Sequence, residues 1–378
     1  MMKVSCFQDN LAKGLSIVGR AVSPRSTLPV LGNVMLAVDN GRLKLSATNL
    51  EIVITCWIGA TVQESGATTV PARTFSELIN TLPLEKVDLS LNKTTETLHV
   101  SCGRIQANVK GISTEEFPVI PNPDDENRIR LDPSVLKQVI SQVAFAAATD
   151  DSRPSLTGVA TTFDGNRLIM AATDGFRLSV RSAHIAGYVE KPFTTIIPAR
   201  ALNEVARIIH DDLEAVYISM PAGRNQIIFD LDNVLLVSQL IDGKFPDYAP
   251  IIPKVHNTRT VLNTAEFSKA CRTADIFARE SSNTARVSVE PGDGLSPAYA
   301  VIAATSKETG DNVAQIDASV EGTPIEIAFN VKFMSDALNV IDTPQVALET
   351  TSANEPGVLK PVGDNDFVHI IMPMNFNR

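Results

Sequence analysis

The chain has 378 residues, 44% hydrophobic and 20% charged, a length that exceeds one ordinary core and suits two or three domains. No apolar run of about eighteen residues offers a membrane span, no apolar stretch follows Met1 as a signal peptide requires, and four scattered cysteines fit neither metal nor disulfide spacing, so a cytoplasmic home is expected. A net charge of −10 argues against coating nucleic acid with the whole outer surface, while leaving room for contact through one locally basic face.

In chain order, Leu11, Leu15 and Val18 fall at i, i+4 and i+7, the apolar stripe of a first helix. A hairpin follows, turning at Asp39-Asn40-Gly41 and closing on Ala47-Thr48-Asn49. Val70-Pro71-Ala72-Arg73 then opens a second helix with Phe75, Leu78, Ile79 and Leu82 as its apolar side. Val87 to Leu91 alternates apolar and polar as a strand does. Proline and acid collect from Phe117 to Asp125, which reads as a linker.

The same order then restarts. Leu136, Ile140 and Val143 form a stripe, a turn is predicted at Asp164-Gly165-Asn166 before Ala172-Thr173-Asp174, and Ile197-Pro198-Ala199-Arg200 precedes Leu202, Val205, Ala206 and Ile209. Ala215 to Ser219 reads as a strand, and prolines gather again from Pro246 to Pro253. A third pass gives Phe267, Cys271 and Ala274, a turn at Pro291-Gly292-Asp293-Gly294, then Ala304-Thr305-Ser306. Phe329-Asn330-Val331-Lys332 leads into Met334, Ala337, Leu338 and Ile341. The stripes lie 125 and 131 residues apart, and Arg73, Arg200 and Lys332 lie 127 and 132 apart. Independent markers with nearly one shift define an internal repeat. We expect three α+β domains, at 1–127, 128–254 and 255–378, each with two helices on largely antiparallel sheet.

The helix faces opposite the apolar stripes carry Lys13 and Arg20, then Gln138, Ser141 and Gln142, then Lys269 and Arg272. Arg200 and Arg207 oppose Leu202 and Ile209, while Glu77, Glu204 and Asp336 recur at one position of the second helices. These faces are mildly basic within an acidic chain, which fits either an ordinary solvated helix or an anionic ligand. Repeats joined head to tail leave an arc with two unlike ends and open strand edges, so self-association is expected.

Nothing in the pattern points to an enzyme, a metal or a cofactor. The five histidines are dispersed, and phosphate-cradling glycine loops and a GxSxG elbow are absent from the sequence. Adjacent acids such as Asp150-Asp151 read as solvated loop residues.

Several segments, in order, resemble the signatures of bacterial DNA sliding clamps, the beta subunits of replicative DNA polymerase III. They are Arg25 to Asn33, Gly66 to Arg73, Ala172-Thr173-Asp174-Gly175-Phe176-Arg177-Leu178, Gly243 to Tyr248, and the terminal Met372-Pro373-Met374. The resemblance spans all three repeats. It implies clamp-type domains that close as a head-to-tail homodimeric ring, encircle double-stranded DNA without reading its sequence, and act as a processivity factor. It implies DNA contacts at Arg25, with Lys13, Arg73, Arg200 and Arg207 as channel residues. Arg153-Pro154-Ser155 departs from the family's loop at the start of the second domain.

It further implies a pocket between the second and third domains for short peptides of the polymerase, the clamp loader, and translesion and repair proteins. The matching residues are Leu156, Thr173, Gly175, Phe176, Arg177, Leu178, Pro246, Ile251, Ile370, Met372, Pro373 and Met374, with Arg177 positioned to fix peptide polarity. Leu156, Leu178 and Ile370 equally suit a plain core. Ile276 and Phe277 match a dimer contact, with Val109 across from them. The alternative is a three-domain peptide-binding scaffold that does not encircle DNA.

Overall fold

The apolar stripes become helices whose striped sides are buried. In this computed structural model, which describes residues 2–23, 28–121, 128–221, 223–293 and 296–375, six α-helices stand among the described residues. They are α1 Gln8–Val18, α2 Ala72–Thr81, α3 Pro133–Val143, α4 Ala199–Ile208, α5 Thr264–Ala278 and α6 Val331–Leu338. Leu11, Val18, Phe75, Ile79, Leu136, Ile140, Val143, Phe267, Cys271 and Met334 are all inaccessible to solvent. Asparagine caps start the last two helices: Asn263 accepts from the Glu266 N–H, and Asn330 from those of Lys332 and Phe333. α1 packs on α2, and α5 on α6.

The chain divides into two compact units. The first unit comprises Met1–Ser134 and Glu204–Leu240. It holds a five-stranded sheet in the order Thr61–Glu64, Lys3–Phe7, Lys86–Asn92, Thr97–Cys102, Ile105–Lys110. Its eight-stranded sheet runs Ile129–Leu131, Val216–Ser219, Gln226–Leu231, Val234–Gln239, Ile52–Ile58, Arg42–Thr48, Asn33–Asp39, Ala67–Pro71. Two repeats meet inside that sheet, where Val237 lies opposite Val53. We call this pairing the first seam.

The second unit comprises Val135–Asn203 and Ile241–Arg378, with a ten-stranded sheet. It begins Gly158–Thr173, Arg177–Pro198, Phe367–Ile371, Gly357–Pro361, Gln345–Thr350, and ends Thr258–Asn263, Gly310–Gly322, Tyr299–Ser306, Thr284–Glu290, Ile325–Asn330. Here the second seam pairs Arg177–Arg181 with Phe367–Ile371, antiparallel, with Leu178 opposite Ile370. Neighbouring repeats thus share sheets. The reason is physical: an end strand presents a row of unsatisfied N–H and C=O groups, and the next repeat satisfies them.

Some details differ from expectation. Asn40 and Gly41 adopt φ of 49° and 75°, the left-handed pair that a tight hairpin needs. In the second repeat the strand Gly158–Thr173 is continuous, and Gly165 marks the predicted turn by φ +57° and a register shift on each side. Gly294 of the third predicted turn lies outside the described residues. Gln142, predicted on an outward face, is buried and donates to the Val340 carbonyl at 3.0 Å. Glu204, also predicted outward, is buried between two arginines, as described below.

Candidate functional site

The second seam starts from a tight turn. Thr173, at the end of its strand, donates to the Arg177 carbonyl (2.6 Å) and accepts from the Gly175 N–H (3.0 Å). Asp174 accepts from the N–H groups of Phe176 and Arg177 at 2.9 and 3.1 Å. Gly175 takes φ +94°, which a side chain would strain, and Arg153 lies directly against it. The turn throws Phe176 into solvent and launches the strand at Arg177. Side chains then alternate, Leu178 and Val180 to one face, Arg177, Ser179 and Arg181 to the other.

The first face is apolar. Leu178, Ile370 and Val358 form a buried floor, with Val180, Tyr248, Ile252 and Val368 packed against it. Phe176 (62% exposed), Ile251 (42%) and Met372 (39%) remain open around this region. The Met372 N–H donates to the Phe176 carbonyl at 2.9 Å and ties two of these open residues together. An apolar floor beside exposed anchors is the form of a linear-peptide groove. Among the other expected pocket residues, Pro246 is exposed and Pro373 half-buried. Leu156 is buried, its carbonyl accepting from the Ala148 N–H. Met374 instead accepts at sulfur from the Thr284 hydroxyl and donates its N–H to Ala328.

The opposite face is polar, and it changes the expected role of Arg177. Its guanidinium donates to Asp174 (3.0 Å), Asp336 (2.6 Å) and the Phe145 carbonyl (2.9 Å), between the rings of Phe333 and Phe145. The side chain is 11% exposed and each of its three nitrogens donates a hydrogen bond within the chain, so it braces the seam. His369 is fully buried alongside, its Nδ1 2.6 Å from the Ser179 hydroxyl. Burial and then the Arg177 charge hold its imidazole neutral, with a pKa down at about 3.

The expected DNA-contacting cations lie on solvent-facing helix sides. Lys13 is 3.8 Å from Asp9, and Arg73 bonds Glu77 at 2.9 Å. Arg207 pairs with Glu204 at 2.7 Å, while Arg200 is exposed with no ion pair among the described residues. Lys13 and Arg73 stand on two helices that pack together. Arg25 lies outside the described residues. Of the expected dimer residues, Ile276 is 57% exposed and Phe277 is half-buried against the third-repeat core. Val109 is 7% exposed, on the same strand face as the open Ile105.

Three family models match the chain in succession: the N-terminal domain of the DNA polymerase III beta subunit over residues 2–121, its central domain over 130–247, and its C-terminal domain over 249–375. The chain belongs to the DNA polymerase III beta subunit family. The "Beta sliding clamp" of Staphylococcus aureus is 33% identical over 383 aligned positions, covering 99% of each chain. That of Bacillus subtilis is 30% identical with the same coverage. The crystal structure of the Bacillus subtilis DNA polymerase sliding clamp superimposes with a TM-score of 0.92 at 29% identity, over 99% of each chain. The Pseudomonas aeruginosa beta subunit gives 0.90 at 27%, over 99% of this chain and all of that one.

Within this beta-subunit chain, sequence reasoning missed the residues packed around the apolar floor. Val180 follows from Leu178 by strand alternation, and Tyr248 closes the Gly243 to Tyr248 signature, so both were within reach. Asp336, which holds Arg177 from 159 residues away, was legible as a carboxylate recurring on the second helices but gave no sign of its partner. Among the described residues no cluster of three or more metal-binding side chains occurs, and no helix is long and apolar enough to cross a membrane. The four cysteines are buried free thiols. Burial pushes Cys6 up to about 12 and Cys56 to about 11, which keeps both protonated and unreactive.

Proposed function

We propose that this chain forms a head-to-tail homodimeric ring around duplex DNA and works as a non-catalytic processivity factor in the cytoplasm. Two open strand edges carry the reading. Among the described residues, Ile105–Lys110 is paired on one side only, and so is the Gly310–Asp317 part of its strand. These segments occupy the repeat positions that pair at the two seams. Thr48, Thr173 and Thr305 face Val53, Leu178 and Asp311, so Asp311 stands where Val53 and Leu178 do. Cys102 faces Ile105 as Leu231 faces Val234, so Asn108 stands where Val237 does. A second copy therefore fits with Asp311 opposite the partner's Asn108. The exposed Ile105, Ile276 and Val313 support the same surface.

In this reading the three domains divide near residues 127 and 254, and the basic helix faces, with Arg25, meet phosphates weakly enough to slide. The groove beside Leu178 and Ile370 takes apolar anchors of peptides from the polymerase, the clamp loader, and translesion and repair proteins, with Phe176, Ile251 and Met372 at its mouth. The test is retention on nicked circular DNA after loading. Encirclement predicts a stable complex that is lost when the circle is cut. Equal loss from circular and linear DNA overturns it and leaves the peptide-binding scaffold.

A further inference from the structure

Both internal seams carry a guanidinium–carboxylate pair at matching places in the repeat, with the carboxylate of Glu204 buried at the first and the guanidinium of Arg177 at the second. One carboxylate recurs on the second helix of each copy: Glu77 on α2, Glu204 on α4 and Asp336 on α6. At the first seam, Glu204 receives Arg20 at 3.6 Å from the turn that follows α1, and its own helix's Arg207 at 2.7 Å. At the second, Asp336 receives Arg177 at 2.6 Å. There the position matching Arg20 is Phe145, whose ring and carbonyl hold the Arg177 guanidinium.

The third set differs. Glu77 is open to solvent, and its ion-pair partner is Arg73 of its own helix. On α5 the position matching Arg20 is Ile276, and the strand position matching Arg177 is Gly310. Neither carries charge. The nearest cations in sequence on either side of Ile276 are engaged locally, Arg272 of α5 with the Ser268 hydroxyl at 2.8 Å and Arg279, just past the end of α5, with Asp275 at 3.0 Å.

We infer that the seam between two copies closes without the charge link of the internal seams: Ile276 faces the partner's Glu77 helix where an arginine stands at the first seam. The inference rests on the dimer reading above. Such a seam is held by apolar burial and strand hydrogen bonds.

The test is a double-mutant cycle on the full chain with Glu77→Gln and Ile276→Arg, reading the monomer–dimer dissociation constant and the exchange of labelled subunits. Both residues are exposed in the single chain, and thermal melts confirm that each variant folds. Glu77→Gln alone is expected to change dissociation by less than about twofold. Ile276→Arg is expected to slow exchange about tenfold, a gain that disappears when Glu77→Gln is added, as for a close charge pair across an interface. A tenfold weakening by Glu77→Gln alone overturns the inference, since a cross-seam cation would then exist. An effect of Ile276→Arg that is indifferent to Glu77 overturns it as well. A wild-type chain that stays single at every concentration instead removes the dimer reading itself.

Discussion

The two seams use one strand pairing and end differently on their outer faces. At the first, Val53 and Trp57 pack over Ile228, Leu235 and Val237. Trp57 is fixed there by its indole N–H on Asp39 (2.8 Å) and by Arg42 and Lys44 near its ring. At the second, the place of Trp57 belongs to Ser182, whose hydroxyl donates to Asp366. Leu178 and Ile370 therefore keep an apolar floor with no indole above it. At the second seam Tyr248 and Ile252, rather than an indole, pack against that floor.

The polar faces differ in the opposite sense. At the second seam a bound-up arginine holds Asp174 and Asp336 between two rings, whereas Arg20 at the first is 37% exposed. The largest effect follows from that contrast. Arg177→Ala leaves carboxylates without their cation and opens a gap beside Phe145 and Phe333, and should cost about 3–5 kcal/mol. Arg20→Ala, screened by solvent and with Arg207 still beside Glu204, should cost about 1 kcal/mol or less. Urea unfolding of the full chain compares them, and equal losses would break the contrast.

Exchanging the covering residue sharpens it. Trp57→Ser should destabilise the chain by about 2 kcal/mol, through lost burial over Leu235 and Val237. Ser182→Trp should leave the melt nearly unchanged and weaken binding of an apolar-anchored peptide by about tenfold or more, as competition with a covering side chain requires. Fluorescence anisotropy with a labelled peptide reads this directly. Unaltered peptide affinity in Ser182→Trp would mean the groove lies elsewhere.

Acid should separate the seams as well. His369 occupies the place that Leu236 has at the first seam, and its folded pKa of about 3 lies below the ordinary 6.5. A histidine buried neutral gives its full contribution above pH 6.5 and loses it progressively as pH falls toward the folded value. Between pH 6.5 and 5 the loss is about 2 kcal/mol. His369→Gln should flatten the slope of stability against pH over that window, whatever it does to the absolute value. A slope equal to wild type would show that other groups set the acid limit.

How much was legible before the fold was known divides along the same lines. The helices were readable because stripes such as Leu136, Ile140 and Val143 depend only on helical period, and the shift between copies announced the repeats. The groove floor, Leu178 and Ile370, came from resemblance, since alternation alone marks them as core. Sharing of sheets between repeats was not legible: a strand's partner is set by which edge lies free, and Val53 does not reveal Val237. Nor was the burial of Glu204, since a carboxylate opposite an apolar stripe looks solvated until Arg20 and Arg207 are found around it.

The smallest effect concerns the helix faces, where sequence left two readings open. Lys13 and Arg73 are held only by exposed partners on their own helices, so neutralising them should leave the melting temperature unchanged. If these faces meet phosphates, each of Lys13→Gln, Arg73→Gln and Arg200→Gln lowers the salt dependence of DNA association by about one unit of slope in log K against log salt, uniformly across DNA sequences. Ordinary solvated cations would change nothing. Arg207 is the useful contrast, since it also neutralises the buried Glu204. Arg207→Gln should therefore lower both the salt slope and the stability, whereas Arg200→Gln, with no ion pair to lose among the described residues, should move the slope alone.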